Sequence, residues 1–456
     1  MKDLFMEAVK EKQTTGKLIK TLFALSIPTM TEEILSTLLQ YADTAMVGRL
    51  GEKATASVSV TTTIGWLTGA VIYALGTGIL SLTANAYGAS DRRTAAKLSA
   101  LAVKLSVYSG IVIGAVSLLL SPLIPVWMGA EEGIRQQASI YYAIISLPMI
   151  FRSASAILGS SIRAVQNTKD PMKISIITNI VNIVLDFVLI YPANLGVTGA
   201  AIATAISYTL SGILTIILFK RTEFLHSEKK KDISSVLRSK TPKAIVSEYT
   251  KVALPLVLSS AVSCLGYVVF AALVSRMGTT IFAAHSIAVN AETIFYIPGY
   301  GLRTAAAALI GAAIGEGDPE KKKKYCLITV AFTVFLMCLT GVTLFFTAGP
   351  LMSLFTPSET VIGLGAHCLR LVAFSEPFFG LMVAMEGIFY GTGKTLWPFI
   401  TETISMWGIR IAGCWIGISF FSFDLSAVWY MMIIDNVVKA LLLTLPFVFR
   451  RRSGGI

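Results

Sequence analysis

The chain has 456 residues, 54% hydrophobic and only 14% charged, with a mean hydropathy of +0.72. That balance excludes an ordinary soluble domain and reads as a polytopic membrane protein. The net charge of +12 would suit a nucleic-acid partner, but its distribution argues against one.

Charge-poor windows of about 20 residues place twelve spans, near 22–48, 55–86, 98–121, 137–161, 173–192, 197–219, 250–275, 281–313, 325–347, 363–390, 396–421 and 425–448. The leader MKDLFMEAVKEKQTTGKLIK is polar and basic, so a retained surface helix is expected there rather than a cleaved signal peptide. Lys and Arg gather in the leader, at Arg92, Arg93 and Lys97, at Lys169 and Lys173, along Lys220 to Lys251, at Lys321 to Lys324, at Lys394 and at Arg450 to Arg452. These are every second connection and both ends. By the positive-inside rule both termini are expected on the cytoplasmic side of a plasma (inner) membrane.

Span 1 carries Glu32, Glu33 and Asp43 between Pro28 and Gly51. A carboxylate at membrane depth costs roughly 2.5 to 3.5 kcal/mol on insertion scales, so it belongs against a protein interior or a water-filled cavity. Glu32 lies eleven residues from Asp43, about 16 Å by helical rise, and reads as a gate or cavity residue. Glu33 and Gln40 fall in the same class. Span 2 has no charge but many small and hydroxylated residues, such as Thr61, Thr62 and Thr63; it reads as a helix packed centrally in its bundle or as part of a cavity wall.

Span 5, ISIITNIVNIVLDFVLIYP, sets Asn179, Asn182 and Asp186 three and four residues apart, on one helical face. Such a stripe of amides and a carboxylate can hold a proton or a hard cation such as sodium, or it can serve as an interhelical hydrogen-bond cluster. Thr204, in the small-residue run opening span 6, gains interest only if it faces Asp186.

The polar stretch between spans 6 and 7 divides the chain into a first lobe at 1–219, a cytoplasmic linker at 220–247 and a second lobe at 248–456. In span 8, His285, Glu292, Tyr296 and Arg303 return to nearly one azimuth despite Pro298, Gly299 and Gly301. Glu292 and Arg303 read either as a mutually neutralising pair or as substrate-binding groups. Spans 10 to 12 add Glu376, Glu386, Glu402, Arg410 and Asp435, whose partners spacing does not reveal. Cys264, Cys326, Cys338, Cys368 and Cys414 lie in or beside apolar runs without a CxxC pair, and read as buried, reduced thiols.

The second half repeats the first. Pro28 and Pro255, Arg49 and Arg276, Gly51 and Gly278, Tyr73 and Tyr300, and Pro171 and Pro398 are all 227 residues apart, as an internal duplication requires. The expected fold is therefore an all-α membrane protein of twelve helices in two six-helix lobes. An even number of spans per lobe implies a pseudo-two-fold axis along the membrane normal, with a transport site between the lobes.

Taken together, the duplication and the motifs ADTAMVGRLG, RAVQNTKDP, YGTGKTLWP, GVTGAAIAT and AAHSIAVNAETIFYIPGYG resemble the multidrug and toxic compound extrusion (MATE) transporters. The likeness spans nearly the whole chain. It implies an antiporter, coupled to sodium or protons, that expels amphipathic and often cationic organic compounds by alternating access. The family's cation site in the first lobe would fall on Asp43, Asn182, Asp186 and Thr204, where a sodium ion could bind; no other cofactor is implied. Span 7 reads SSAVSCLGYVV, without the acidic residue that some branches of the family carry there, which disfavours an ion site in the second lobe centred on that span.

The expected partners are small organic substrates and the lipid bilayer, with no nucleic acid and a monomeric chain. A major-facilitator transporter has the same span count, but YGASDRRTAAKL fits its loop signature only in part. A lipid-linked precursor flippase would want a basic cavity, and Arg152, Arg303 and Arg410 are few for that. An enzyme would need a DDxxD, HExxH or GxSxG constellation, and an ATPase a GxxxxGK[ST] loop; none occurs.

Overall fold

The computed structural model describes residues 2–225 and 241–452, with side chains from 15 to 225 and 241 to 447; the core of the predicted linker, 226–240, falls outside them. No strand occurs among the described residues. In hydrocarbon every backbone N–H and C=O must be satisfied within the chain, which leaves helices as the local solution for runs this apolar.

The helices are α1 (Lys2–Gly48), α2 (Glu52–Gly88), α3 (Arg92–Leu120), α4 (Glu132–Ser146 and Met149–Ala164), α5 (Lys169–Ile190), α6 (Gly196–Arg221), α7 (Lys243–Ser275), α8 (Thr279–Gly315), α9 (Pro319–Ser353), α10 (Glu359–Ala373 and Glu376–Thr392), α11 (Leu396–Phe421) and α12 (Leu425–Arg452). Ten are single helices long and apolar enough to cross a membrane, and the two broken pairs, α4 and α10, complete twelve. Expected and observed spans therefore agree in number and order.

One local feature differs from the sequence reading. The leader is not a separate surface helix, because α1 is continuous from Lys2 to Gly48. The helices α1, α7 and α8 also run on through Pro28, Pro255 and Pro298. Two breaks carry sharp bends: 49° between Ser146 and Met149, and 56° between Ala373 and Glu376. Pro148 sits in the first break and Pro377 at the start of the segment after the second, where a residue without an N–H costs least.

Caps repeat with the duplication. The Asp91 side chain accepts hydrogen bonds from the Arg93 and Thr94 backbone N–H groups, each at 3.0 Å, to start α3. Asp318 accepts from Lys321 N–H at 2.8 Å to start α9. The N–H groups of Thr94 and Arg93 hold the exposed Asp91 carboxyl below its ordinary range, since an anion at a helix N-terminus meets unpaired donors and the positive end of the dipole.

The described residues gather into two compact units. Of these, the N-unit comprises 31–225 and 241–260 with 314–317; the C-unit comprises 2–30, 261–313 and 318–452. The cut therefore falls inside α1, α7 and α8. Within the C-unit, Thr29 Oγ1 donates to Gly301 O at 2.9 Å and Phe23 stacks on Phe332 with centroids 4.2 Å apart. Within the N-unit, Tyr249 Oη donates to Leu75 O at 3.1 Å.

The C-unit core gathers around Trp429, Met352, Leu344 and Leu369. Its central helix is α8, whose alanine run lets α10 approach until a Cβ on Gly387 would lie 2.9 Å from Arg303 O. Small residues supply this closeness where apolar burial gives no drive between helices in lipid. The N-unit core is built from Ile72, Ile79, Ile157, Leu158 and Ile162 of α2 and α4. Large apolar residues such as Leu119, Phe346 and Leu354 are more than 70% exposed, which suits a surface whose solvent is hydrocarbon. All five cysteines are free; Cys368 and Cys414 are buried and the other three half-buried.

Candidate functional site

A small apolar cluster closes one end of the N-unit. Val47 of α1, Ala54 of α2, Ile190 of α5 and Val197 and Ala200 of α6 are buried together, with Met46, Tyr141 and Tyr191 against them. Tyr191 Oη donates to Met46 O at 3.0 Å and so ties the end of α1 to the end of α5. Antiparallel α5 and α6 are held close at Gly199, where a Cβ would lie 2.7 Å from the Leu189 carbonyl.

Polar residues lie directly beneath. Asp43 precedes Val47 by four residues, Asp186 precedes Ile190 by four, and Thr204 follows Ala200 by four. Each is thus one helical turn, about 6 Å, deeper than the cluster. The Asp43 and Asp186 carboxyls face each other at hydrogen-bonding range. Apart from each other, Asp43 Oδ1 and both Asp186 oxygens have no hydrogen-bond partner among the described residues, and the buried amide nitrogens of Asn179 and Asn182 and the Ser207 hydroxyl have none either. Asp186 is 0% exposed and Asn182 1%.

Such a group of unsatisfied atoms is costly unless something completes it. Two carboxyls in contact away from water cannot both carry charge unless they share a proton or hold a cation between them. Carboxylate, amide and hydroxyl oxygens are all hard ligands, and such a set fits a proton or sodium. Asp43 and Asp186 meet, and Asn182 is buried one helical turn before Asp186 on α5. Thr204 stands at the same depth, half-buried, with no hydrogen bond joining it to Asp186.

Sequence reasoning missed two neighbours. The phenol of Tyr141 lies within electrostatic reach of Asp43, Asp186 and Tyr208, and Arg152 stacks on Tyr208 at 5.0 Å. Their signal was weak, because an aromatic in a membrane span is read first as core.

The remaining candidates sit apart from this group. Glu32 accepts an ion pair from Arg163 Nη2 at 2.5 Å, Glu33 lies within reach of the same guanidinium, and Gln40 is exposed with its carbonyl accepting from Thr44 Oγ1. In the C-unit, Arg303 does not neutralise Glu292. It pairs with Glu386 at 2.6 Å and stacks on Tyr300 and Tyr390 at 4.6 and 5.6 Å. The two residues share an azimuth on α8, but three helical turns of rise keep them about 16 Å apart.

Tyr296 shares a hydrogen bond with Thr293 at 2.9 Å and packs on Phe379. His285 is wedged between Phe270 and Trp429 with Nδ1 unpartnered. Glu292 and Glu376 are buried within reach of each other's charge. A further charge cluster joins Arg410 to Asp435 at 2.6 Å and Lys439 to Glu402 at 2.9 Å. Arg163 and Lys439 thus add two interior cations to the three weighed from sequence, and both are paired with carboxylates.

Comparison with known proteins follows the same outline. The chain is 28% identical over 445 residues to a probable multidrug resistance protein NorM of Thermotoga maritima, covering 96% of this chain and 93% of that one. It is 21% identical over 447 residues to an uncharacterized transporter YisQ of Bacillus subtilis, covering 97% of each. Solved structures of MATE in the straight and bent conformations superpose with TM-scores of 0.88 and 0.87 at 22% and 21% identity; they cover 96% of this chain, and 96% and 98% of theirs. A sequence model of the MatE family matches twice, at residues 28–188 and 255–416, starting 227 and ending 228 residues apart. With two matches that span most of both halves, on a fold of twelve helices built by duplication, the chain belongs to the MatE family of membrane transporters.

Proposed function

We propose that the protein is an antiporter that uses a proton or sodium gradient to export amphipathic, often cationic, organic compounds by alternating access, with no enzymatic step. The observation that carries the coupling is the Asp43–Asp186 pair, whose Asp43 Oδ1 and two Asp186 oxygens find no hydrogen-bond partner beyond each other among the described residues. Asp43 and Asp186 would hold the ion, and the Asn182 and Thr204 oxygens would complete the set. Neutralising the pair removes the repulsion that otherwise separates α1 from α5, and this gives two arrangements of the N-unit whose balance the ion shifts.

The alternation of Lys- and Arg-rich connections supports a cytoplasmic-membrane protein with both termini inside. The names of relatives such as the Thermotoga maritima protein support drugs and similar compounds as substrates. The test is efflux of a fluorescent organic cation from reconstituted vesicles under sodium and proton gradients imposed separately. Wild type is expected to respond to at least one gradient and Asp43→Asn to neither. Transport by Asp43→Asn at the wild-type rate under both would overturn the reading.

A further inference from the structure

Four left-handed turns of the first half return in the second. Gly51 and Gly278, Ser90 and Gly317, and Gln166 and Gly393 have matching positive φ and lie 227 residues apart, whereas Asn194 and Ser422, with φ of 53° and 51°, lie 228 apart. One residue was therefore gained between 393 and 422. Within that interval α11 makes a π-helical stretch, Met406–Ile411, and an i→i+5 turn houses one residue more than an α turn. The π turn is where the extra residue went.

Carried through this register, the apolar cluster Val47, Ile190, Val197 and Ala200 maps to Val274, Ile418, Leu425 and Val428. These four also pack together in the C-unit core. The polar layer one turn beneath is replaced. Asp43, Asn182, Asp186 and Thr204 correspond to Phe270, Arg410, Cys414 and Met432, and between α5 and α11 burial is kept: Asn182 is 1% and Arg410 3% exposed, while Asp186 and Cys414 are both 0%.

We propose that Arg410 is a tethered cation that fills, in the C-unit, the layer that takes the exchangeable ion in the N-unit, so that this position admits no ion from solution. The inference rests on the ion-site reading above. The Arg410 guanidinium lies 5.6 Å over Phe270, the counterpart of Asp43, and 5.7 Å over Tyr267. One amino group contacts Asp435 Oδ2 at 2.6 Å and Asn436 Oδ1 at 3.3 Å.

The surrounding charges close around it. Lys439 bridges Glu402 at 2.9 Å and Asp435 at 3.4 Å, the Ser405 hydroxyl donates to Asp435, and Ser263 Oγ donates to Glu402 at 2.6 Å. Within these direct contacts two cations meet two carboxylates, so the contact cluster is balanced without a mobile ion. On α8, His285 and Glu292 lie within reach of the same guanidinium. A π turn that inserts one residue thus converts one of two repeat-related ion positions into a permanently charged strut.

The test is cation-specific rescue in the Asp43→Asn background, which silences the N-unit position. Thermal unfolding of purified Asp43→Asn and of Asp43→Asn/Arg410→Ala is followed in detergent at fixed ionic strength, with methylguanidinium, sodium or choline as the cation. The double variant is expected to gain several degrees in methylguanidinium over choline, as a ligand that binds only the folded state does, and the single variant none. Equal midpoints for the double variant in all three salts would sink the proposal.

Should the double variant not survive purification, recovery becomes the readout: methylguanidinium in the buffers is expected to restore monodisperse protein, and no recovery also overturns the proposal. Failure of the ion-site reading shows separately, as wild-type transport by Asp43→Asn.

Discussion

Asp43 on α1 and Asp186 on α5 meet at hydrogen-bonding range 143 positions apart in the chain, one helical turn beneath the apolar cluster of Val47 and Ile190. The cluster covers one side, and the pair is left with each other as hydrogen-bond partners among the described residues. Replacing either carboxylate by its amide keeps the shape but removes the charge that an ion must balance. Asp43→Asn and Asp186→Asn are each expected to lower gradient-driven efflux at least a hundredfold while substrate binding stays within about threefold, because each change costs at least about 2.8 kcal/mol of coupling at 1.4 kcal/mol per tenfold. Efflux from vesicles beside equilibrium binding in detergent checks both halves of the expectation.

The hydroxyl of Tyr191 fixes the geometry of that pair from outside it. Tyr191→Phe deletes the 3.0 Å bond to Met46 O and leaves the carbonyl with one partner fewer, at a cost of about 1 kcal/mol. The apparent affinity for the coupling ion is expected to fall about fivefold, with the maximal rate little changed. Transport measured as a function of sodium concentration or of pH reads this directly, and an unaltered half-saturation would show that α1 is held without it.

The Glu32–Arg163 pair, at 2.5 Å with both side chains mostly buried, tests neutrality rather than coupling. Arg163→Met leaves Glu32 with an uncompensated charge and is expected to destabilise the folded protein by about 3 kcal/mol. Glu32→Gln/Arg163→Met removes both charges and is expected to recover most of that loss. Unfolding midpoints of the wild type, both single variants and the double variant form the cycle that isolates the interaction.

Close helix contact in the N-unit depends on Gly212. A Cβ there would lie 2.5 Å from both Cβ and the carbonyl oxygen of Phe151, whereas at Gly65 it would meet nothing within 4 Å. Gly212→Ala forces α4 and α6 apart and is expected to cost about 2 kcal/mol. Gly65→Ala, in the interior of α2, is expected to stabilise by up to about 1 kcal/mol. The yield and thermal midpoint of the two proteins in detergent should therefore move in opposite directions.

The sequence alone determined that this is a duplicated bundle of membrane helices. Apolar runs of span length must become helices in hydrocarbon, where no water satisfies the backbone, and Gly, Pro and Asp at turns and caps recur at one offset because each half needs the same backbone geometry. It also singled out Asp43, Asn182 and Asp186, since charge and amides on one face of a lipid-embedded helix are too costly to be incidental.

Only the tertiary structure decided which charges meet. Arg303 could be read as the partner of Glu292, as both lie on one face of α8, but Glu386 on α10 takes it; Arg410 finds Asp435, and Arg163 finds Glu32. An ion pair depends on the distance between side-chain tips on different helices, and periodicity along one helix fixes azimuth without saying which neighbour stands there or at what depth. The one-residue gain in α11 shows the same limit: the sequence reads as a single offset of 227, and it is the π turn at Met406–Ile411 that places the step and turns Arg410 into the layer where the first half keeps its polar residues.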